Sequence, residues 1–383
     1  MLDSGQPDIG LFVDSLARGR NTGVGTYVVN LIEHLLAVRP QRRLTIVSPA
    51  VGTDLGPRAK SNRLRVLRLR GPAQIRTALN LTTDWPSVDR GLNLDLLHIL
   101  VPGRPAPCDA PLVMTIHDLT PLTHPEWYSR RATLLFEQSV KRALAVGAHF
   151  TTDSQAVHDE ARSLLGIPPE RITVALLGAP PSPRAPSTLE VRRVLTRLGL
   201  GQRPFLLFLG EISPRKDPVA VVEVLRILRS SGVDVDVAFA GAPGRASADL
   251  ESAIGRYELG GHAHVFGHVD AVTAAVLMQE ASVYILPSRY EGFGLPVLEA
   301  MQRCTPVVAT AAGSLPEVVG DGGLLAEIGD FEALAARSAD VLSDPCYASR
   351  QAQAGLRQVE RFSWRHCAEV TASAQENALT CHL

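Results

Sequence analysis

The chain has 383 residues, a length that suits two domains of ordinary size, and 45% of its residues are hydrophobic. Its formal net charge is -1, so the chain as a whole lacks the basic surplus that argues for nucleic acid as a partner. No apolar run approaches the roughly 20 residues that span a bilayer, and the N-terminus has neither the basic start nor the apolar stretch of a secretory signal.

Short apolar strands alternate with longer amphipathic helices through the first half of the chain. The first strand is predicted at residues 9–13 and the first helix at 26–38, with Ser154 as N-cap of a helix at 155–165. Such alternation predicts a parallel sheet with helices on both faces. Further strands are predicted at 44–48, 64–69, 95–100, 112–117, 150–153 and 172–177.

The alternation is interrupted at residues 178–186, where four prolines in nine residues cannot continue a helix or a central strand. It then resumes, which predicts two open α/β sheets, each with a ligand-binding edge at the carboxyl ends of its strands. We expect an N-terminal domain at 1–180, a second domain at 187–360 and a final helical segment at 361–383. The strands of the second domain are predicted at 205–209, 235–240, 264–266, 283–286, 307–309 and 324–326.

Two glutamates, Glu291 and Glu299, lie eight positions apart around a glycine- and proline-rich turn. The glycines allow close backbone approach, and Pro296 suits the first turn of a helix. The helix start should then offer backbone N–H groups to a diphosphate, while the carboxylates reach ligand hydroxyls such as those of a ribose. The alternative is a capping loop with two solvated glutamates. The backbone N–H groups that the helix start would offer to a diphosphate are those of Gly292, Phe293, Gly294 and Leu295.

Two adjacent cations, Arg215 and Lys216, follow the strand predicted at 205–209 and precede a helix that begins near Pro218. Cations at the carboxyl end of a strand can neutralise a departing diphosphate, although ordinary surface residues near a turn would look the same. The later loop at 304–317 could border a nucleotide base or ribose, or be only the next strand and turn.

In the first half, Gly23 and Gly25 open a helix and would let the backbone approach a phosphate or a sugar. A third glycine at dinucleotide spacing is missing, which disfavours a nicotinamide cofactor. His117 ends the strand predicted at 112–117 and is placed at the ligand-binding edge of the sheet. A structural role is the alternative, and His98 ends another strand in the same half.

Asp234 and Asp236 resemble an Asp-x-Asp metal motif, but they open a strand of alternating polarity. Period two puts both acids on one face, so we predict a wet edge of the second sheet and assign no metal. The five cysteines are scattered and form no Cys-x-x-Cys pair, which fits a reducing cytoplasm without disulfides or zinc.

Residues 58–76 contain seven basic residues and no acid. The alternatives are a solvated strand face with its flanking loops, or a patch that contacts an anionic membrane surface or a lipid-phosphate acceptor. A cytoplasmic protein with peripheral contact at the inner membrane surface is one expectation from this segment. The basic residues are Arg58, Lys60, Arg63, Arg65, Arg68, Arg70 and Arg76.

Over nearly its whole length the chain resembles the family 4 retaining glycosyltransferases of the GT-B fold, especially the bacterial mannosyltransferase-like branch. The resemblance is strongest at residues 287–301, which match the family's Glu-x7-Glu motif. Residues 210–217 look like its diphosphate-binding strand end, 115–121 like its histidine loop and 362–364 like the start of its last helix. It implies two Rossmann-like domains that face each other across a cleft, with the last helix crossing back to the first domain.

The resemblance also implies a role for each candidate residue. Arg215 and Lys216 would hold the donor diphosphate, Glu291 would contact donor-sugar hydroxyls and Glu299 would hold the ribose. The transferred sugar would lie against His117, and the diphosphate would be lined by Gly23 and Gly25. Such enzymes need no metal, and the leaving phosphate is thought to deprotonate the acceptor on the same face.

The implied reaction transfers a hexose, with mannose from GDP-mannose as the best candidate, to a saccharide or lipid-linked acceptor. No cofactor beyond this nucleotide-sugar co-substrate is expected, and the oligomeric state is left open. Alternatives are a UDP- or dTDP-sugar-dependent transferase with a small-molecule acceptor, an epimerase or phosphorylase of the same fold, and a non-catalytic sugar-nucleotide-binding subunit.

Two positions depart from the family pattern. Glu211 stands where many relatives have arginine, and we expect Arg215 to supply that charge. Cys304 stands where relatives usually have glycine, and we expect its side chain to narrow the nucleotide pocket.

Overall fold

A computed structural model describes residues 7–13, 23–48, 62–69, 73–83, 87–104, 106–181 and 184–380. The chain forms two compact units, one of Met1–Gly178 with Ser363–Leu383 and one of Ala179–Phe362. Among the described residues, no helix is both long and apolar enough to cross a membrane.

The first unit contains a parallel seven-stranded sheet in the order β3-β2-β1-β4-β5-β6-β7. Because all its described pairs are parallel, the carboxyl ends of β4, β5 and β6 lie side by side at one edge. The predicted parallel sheet is confirmed. Its strands are β1 (Asp8–Phe12), β2 (Arg43–Ser48), β3 (Leu64–Arg68), β4 (Leu96–Ile99), β5 (Leu112–Ile116), β6 (His149–Thr152) and β7 (Ile172–Val174).

Five α-helices are described in the first part of this unit. Ser154 accepts a hydrogen bond from the backbone N–H of Val157 and is the N-cap that the sequence predicts. The described part of the first helix already includes Gly23 and the buried Gly25, ahead of the predicted start at residue 26, so the low helix propensity of glycine does not set its start. The helices are α1 (Gly23–Val38), α2 (Ala73–Thr82), α3 (Thr120–Thr123), α4 (Arg130–Ala145) and α5 (Gln155–Leu165).

Strand β7 is shorter than predicted, since it ends at Val174 and not at residue 177. It is an edge strand whose one neighbour, β6, ends at Thr152. Beyond a last bond from the Ala175 N–H to the Thr152 carbonyl, the chain therefore has no ladder partner to continue with.

The second unit contains a parallel six-stranded sheet in the order β10-β9-β8-β11-β12-β13, the doubly wound Rossmann arrangement. Strands such as β8 and β9 are apolar and buried on both faces, as parallel strands covered by helices should be. The strands are β8 (Phe205–Leu209), β9 (Asp236–Ala240), β10 (Ala263–Gly267), β11 (Val283–Leu286), β12 (Val307–Thr310) and β13 (Leu324–Ala326).

In the described residues of this unit, eight α-helices accompany the sheet. The first begins with a capping box in which Ser187 and Glu190 exchange side-chain and backbone hydrogen bonds. The helices are α6 (Thr188–Leu198), α7 (Pro218–Ser230), α8 (Ser247–Arg256), α9 (Ala271–Glu280), α10 (Leu295–Gln302), α11 (Leu315–Val319), α12 (Phe331–Ser343) and α13 (Pro345–Val359).

The last helix, α14 (Trp364–Thr380), packs in the first unit against α1 and strands β4–β7. Buried Arg42 donates to the side chains of Gln375 and Glu376, each at 2.8 Å. A Cβ added to Gly178 would lie 2.3 Å from the Trp364 backbone nitrogen, so only glycine allows this close approach. The first unit is thus completed by the end of the chain.

The prediction of a wet edge at Asp234 and Asp236 is wrong for Asp236. Asp236 is buried at the start of β9, which lies between β8 and β10 in the sheet. Its carboxylate pairs with Arg203 at 3.1 Å and with His262 at 2.9 Å. Asp234 is exposed and precedes the strand. Polarity that alternates along a strand does not reveal whether a charge is solvated or is paired in the interior.

Of the basic segment at residues 58–76, the structure describes 62–69 and 73–76. Of its cations, Arg65 is exposed on the edge strand β3, and Arg63 donates to the Leu36 carbonyl at 3.0 Å. Membrane contact through this segment, and the cytoplasmic location, stay predictions.

Candidate functional site

Glu291 lies between the two cations that the sequence singles out. Arg215 donates to one carboxylate oxygen at 2.9 Å, and Lys216 donates to the other at 2.8 Å. The Ser288 hydroxyl also donates to the second oxygen at 2.7 Å. Glu291 is only 5% exposed and Lys216 only 8%, so these groups form a buried charge cluster.

This arrangement fixes the ionisation of Glu291. Burial by itself would raise the pKa of the carboxyl, but Arg215 and Lys216 outweigh it and hold the pKa at about 2. Glu291 is therefore a carboxylate at neutral pH. Two cations against one anion leave a net charge of +1, which favours binding of an anionic group.

The loop that carries the two cations is tied to the loop that carries Glu291. Arg215 and Lys216 belong to a short 3-10 helix after β8, and the Arg215 carbonyl accepts from the Arg289 N–H at 2.8 Å. The Arg289 side chain donates to Asp217, also at 2.8 Å. The ends of β8 and β11, neighbours in the sheet, are thereby held together.

The turn between the two glutamates has the predicted form. Gly294 has φ = +102° and caps α10, whose first turn contains Pro296. Phe293 and Leu295 are buried, and the Phe293 ring packs edge-on against Phe362 with centroids 5.6 Å apart. What these positions offer to a ligand is therefore backbone and not side chain.

A third loop, after β12, supports the same turn. The Ser314 hydroxyl bonds to the backbone carbonyl oxygens of Glu291 at 3.0 Å and Phe293 at 2.8 Å. Gly313 has φ = +55°, and a Cβ added there would lie 2.3 Å from the Glu291 carbonyl oxygen. The sequence drew attention to this loop as a border of the base or ribose, but did not reveal that it holds the Glu291 backbone.

Glu299 lies half-buried on α10 and differs sharply from Glu291. Burial raises the pKa of its carboxyl to about 7, and the opposing effects of Arg303 and Lys216 are smaller. Donated hydrogen bonds from ligand hydroxyls would favour the carboxylate form. The two glutamates of the motif thus have separate electrostatic environments within one loop and helix.

In the first unit, His117 follows β5 and is held by hydrogen bonds on both ring nitrogens. Nδ1 lies 2.6 Å from an Asp153 carboxylate oxygen, and Nε2 lies 2.9 Å from the Leu100 carbonyl oxygen. Burial lowers the pKa of the ring, but the Asp153 and Leu100 contacts outweigh it and the pKa is raised. No sequence pattern indicates that Asp153 is its partner.

His98 is a structural residue. It lies in the middle of the sheet on β4 and is fully buried. Its Nδ1 contacts the Gln375 amide nitrogen at 3.0 Å, and its Nε2 contacts the Thr115 hydroxyl at 2.9 Å. Burial lowers its pKa to about 3, so the ring is neutral.

Gly23 is exposed at the first position of α1, and Gly25 is buried one position before Thr26 in the same turn. The residues at 14–22 that precede them lie outside the described part of the chain. The predicted contact of these two glycines with a diphosphate stays a prediction.

Cys304 does not narrow the nucleotide pocket as predicted. It precedes β12 at the amino ends of the strands, whereas Glu291 lies at the carboxyl ends. It lines a cavity of about 320 Å³ with Pro204, Ser282 and Pro306, which also precede strands. Its φ of +59° explains why glycine suits the position. Glu211 is exposed after β8, and Arg215 is the residue that pairs with Glu291.

Comparison with known proteins places this geometry in a family. A family model described as "Glycosyl transferases group 1" matches residues 197–358, and one described as "Glycosyltransferase Family 4" matches residues 21–182. The chain belongs to the family 4 glycosyltransferases. The two Rossmann-like units are those of the GT-B fold, as the sequence predicts.

Curated relatives match the whole chain or parts of it. O-antigen chain mannosyltransferase B of Escherichia coli is 28% identical over 376 residues, which cover 92% of this chain and 95% of the relative. Alpha-maltose-1-phosphate synthase of Mycobacterium tuberculosis is 31% identical over 283 residues, which cover 69% of this chain and 72% of the relative. The MMP alpha-(1->4)-mannosyltransferase of Mycolicibacterium hassiacum is 42% identical over 109 residues, 27% of this chain and 26% of the relative.

Solved structures agree on the fold. A glycosyltransferase from Rickettsia africae superposes with a TM-score of 0.74 at 17% identity and covers 98% of this chain and 99% of its own. A sucrose-phosphate synthase from Thermosynechococcus elongatus gives 0.73 at 19% identity, with 98% and 100% covered. These structures support the two-unit GT-B fold, and the family matches show that the chain is a glycosyltransferase.

Proposed function

We propose that this protein is a retaining, metal-independent hexosyltransferase that moves mannose from GDP-mannose to a saccharide or lipid-linked acceptor. The observation that carries the proposal is the cluster of buried Glu291 and Lys216 with half-buried Arg215, which has a net positive charge at the carboxyl ends of β8 and β11. The choice of mannose is supported by two relatives that are named as mannosyltransferases.

Arg215 and Lys216 hold the donor diphosphate in this proposal. The bond from the sugar to the phosphate breaks during transfer, so negative charge grows on the leaving group. Cations fixed in a water-poor site stabilise that charge without reorganising. Glu291 keeps both cations in place through its two oxygens and contacts the hydroxyls of the donor sugar.

The remaining candidate residues bind and orient the donor. Glu299 accepts hydrogen bonds from the ribose hydroxyls, and the helix start at 292–295 contacts the diphosphate through its backbone. In the first unit, His117 contacts the transferred sugar, while Gly23 and Gly25 contact the diphosphate.

Retention follows from a same-face reaction. The bond from the anomeric carbon to the acceptor oxygen forms as the bond to the phosphate oxygen breaks, and the acceptor proton passes to that phosphate oxygen. Glu291 is poorly suited to be the base or the nucleophile, because its pKa is about 2 and both of its oxygens already accept hydrogen bonds. Arg215 and Lys216 supply the positive charge that a metal ion provides in other transferases.

A donor and acceptor panel tests the proposal. GDP-mannose, UDP-glucose, dTDP-glucose and ADP-glucose are each incubated with mannose-terminated and lipid-linked saccharides, with and without EDTA. We expect transfer from GDP-mannose, unaffected by EDTA, with an α-linkage in the product by NMR. Lys216→Ala is the inactive control, because it removes a cation next to the leaving group.

Each other outcome points to a different function. Transfer from a UDP-sugar would favour the alternative donor, which one structural neighbour, solved with UDP and glucose, also suggests (TM-score 0.71, 18% identity). Nucleotide binding by a folded protein without transfer from any donor would favour a non-catalytic subunit. Inversion at the anomeric carbon would contradict the mechanism.

A further inference from the structure

The His117 ring is held across three adjacent strand ends of the first sheet. Leu100 follows β4, His117 follows β5 and Asp153 follows β6, and these strands are neighbours in the order β4-β5-β6. The ring nitrogens lie 2.9 Å from the Leu100 carbonyl oxygen and 2.6 Å from an Asp153 carboxylate oxygen. Any tilt of the ring would break at least one of these bonds.

Both partners are hydrogen-bond acceptors, which determines where the protons lie. The Leu100 carbonyl has no proton to give, so Nε2 must carry one and donate it. A bare Nδ1 would then present its lone pair to the Asp153 carboxylate, which is repulsive. A proton between the two groups resides on the imidazole, since its ordinary pKa of about 6.5 exceeds that of aspartate, about 3.9. Both nitrogens donate, so the ring is an imidazolium.

Among the other groups described around the ring, one carboxylate favours this charge and the titratable groups on neighbouring elements are neutral. On its own loop, Asp118 adds a second carboxylate that raises the pKa of His117. From α1, the Tyr27 ring packs edge-on at 4.7 Å, and burial raises the pKa of its hydroxyl, so it is neutral. From β4, His98 is neutral, and from α14, burial raises the pKa of the Cys367 thiol, which therefore keeps its proton.

We propose that Asp153 is a positioning residue that keeps His117 as a fixed imidazolium, so that His117 acts during transfer as a permanent cation and not as a proton-transfer group. This inference rests on the proposed function, which brings the donor to His117. Both N–H groups are used within the unit, and 16% of the side chain is exposed. What the ring offers to a ligand is therefore its charge and its C–H edge, while a base would need a free nitrogen lone pair.

The Asp153→Asn variant separates charge from hydrogen bonding. The new amide can donate to Nδ1 while Nε2 still donates to the Leu100 carbonyl, so both bonds are kept with a neutral ring. Asp153→Glu keeps a carboxylate and should restore the charge at least in part. The matched control is Asp159→Asn, which alters the exposed pair of His158 and Asp159 on α5.

Nitrogen-15 NMR of the histidine rings at pH 7.5 measures the protonation directly in the full-length protein. His117 is assigned by comparison with His117→Gln. We expect both of its nitrogens to be protonated in the wild type and in Asp159→Asn, and only Nε2 in Asp153→Asn. A neutral His117 in the wild type would overturn the proposal, whether or not the aspartate variants fold.

The pH dependence of kcat with the preferred donor measures the role in transfer. As pH rises from 6 to 8, Asp153→Asn should lose at least about tenfold more activity than the wild type, because burial lowers the pKa of the ring once the Asp153 carboxylate no longer opposes it. Asp153→Glu should follow the wild type. A parallel profile for Asp153→Asn, in a protein that transfers sugar, would also overturn the proposal.

The two proposals fail in different ways. If His117 is charged but no donor supports transfer, the proposed function is wrong and the kinetic role of His117 is lost with it, while the imidazolium stands as a structural feature. If transfer proceeds with a neutral His117, the proposed function stands and this inference is wrong.

Discussion

The carboxyl groups of Glu291 and Glu299, eight residues apart, have pKa values shifted in opposite directions. Glu291 is surrounded by Arg215, Lys216 and the Ser288 hydroxyl, which more than offset its burial and hold its pKa at about 2. Glu299 is also withdrawn from water, yet no ion pair within 4 Å is formed by it in the described structure, and its pKa is raised to about 7. One residue is therefore a constant charge, and the other titrates in the physiological range.

Nucleotide affinity should rise with pH because of Glu299. Ribose hydroxyls bind the carboxylate form, and with a pKa of about 7 the ionised fraction increases about tenfold between pH 6 and 8. Calorimetric titration with GDP should thus show about tenfold tighter binding at pH 8 than at pH 6. Glu299→Gln should remove this part of the pH dependence and leave only that of the GDP phosphate. If the GDP affinity of Glu299→Gln depends on pH as strongly as that of the wild type, Glu299 does not bind the ribose as proposed.

Glu291 should make the fold sensitive to acid. Its pKa is about 2 in the folded protein against an ordinary 4.5, so its stabilisation is present above pH 4.5 and is lost as pH falls towards 2. Removing one partner of such a buried pair costs about 3 kcal/mol. In urea melts at pH 7, Glu291→Gln should lower the free energy of unfolding by that amount. Between pH 4.5 and 2, the variant should also lose less free energy of unfolding than the wild type does.

The control for Glu291 is an exposed ion pair. Glu137→Gln breaks the pair with Lys141 on α4 and should change the free energy of unfolding by less than about 1 kcal/mol. Equal effects of the two substitutions would mean that the Glu291 cluster is not a buried electrostatic unit.

At the next scale, three loops of the second unit act together. The loops after β8, β11 and β12 meet at the carboxyl edge of the sheet, and each contributes a different part. The first carries Arg215 and Lys216, the second carries Glu291, and the third supports the Glu291 backbone through Ser314. The geometry of the site thus depends on backbone contacts as well as on charged side chains.

Gly313→Ala should displace the turn that carries Glu291. A methyl group there would lie 2.3 Å from the Glu291 carbonyl oxygen, so the backbone must move. We expect GDP affinity to fall by at least about tenfold, the equivalent of 1.4 kcal/mol. Gly329→Ala is the control, since Gly329 also has positive φ but a Cβ there meets nothing within 4 Å. Equal losses of affinity in both variants would contradict the role of this contact.

Cys304→Gly should stabilise the protein without a change in nucleotide binding. It relieves a positive φ of +59° in a residue with a side chain, a strain that costs about 1 kcal/mol or more. Thermal unfolding should report the gain, and GDP titration should be unchanged because Cys304 is at the opposite edge of the sheet. Cys304→Ala keeps the strain and should not stabilise. A changed GDP affinity in Cys304→Gly would instead support the expectation that Cys304 borders the nucleotide pocket.

On the scale of the whole molecule, one unit is a single continuous stretch of chain and the other combines two separate stretches. Residues 179–362 form the second unit without interruption, whereas the first unit combines residues 1–178 with 363–383. The Arg42 contacts with Gln375 and Glu376 lie between positions more than 330 residues apart in sequence. The first unit should therefore depend on its last helix, and the second should not.

We expect residues 179–362, expressed alone, to fold and to bind GDP within about tenfold of the full-length affinity, because Arg215, Lys216, Glu291 and Glu299 all belong to that unit. Residues 1–178 alone should be unstable, since α14 covers α1 and strands β4–β7. Circular dichroism and GDP titration of each piece measure this. A stable 1–178 fragment would contradict the dependence of the first unit on α14. A folded 179–362 fragment without GDP affinity would contradict the placement of the nucleotide site in the second unit.

The sequence by itself determined the order and approximate positions of the strands in both sheets, and the family. Strands and helices have short periods that depend on neighbouring residues, and the Glu-x7-Glu motif lies within one loop and helix. These are local features, so a linear pattern records them. The positions of Ser154 and Pro296 at helix starts belong to the same class.

Only the tertiary structure decided which ionisable groups lie in contact with one another. Lys216 and Glu291 are 75 positions apart, and His117 and Asp153 are 36 apart. The burial of Asp236 and the location of Cys304 at the amino edge likewise depend on strand order. Adjacent strands are brought together by helical crossovers of variable length, so no fixed sequence spacing marks these pairs. The pKa values of the site residues, and with them its chemistry, follow from contacts that exist only in the folded protein.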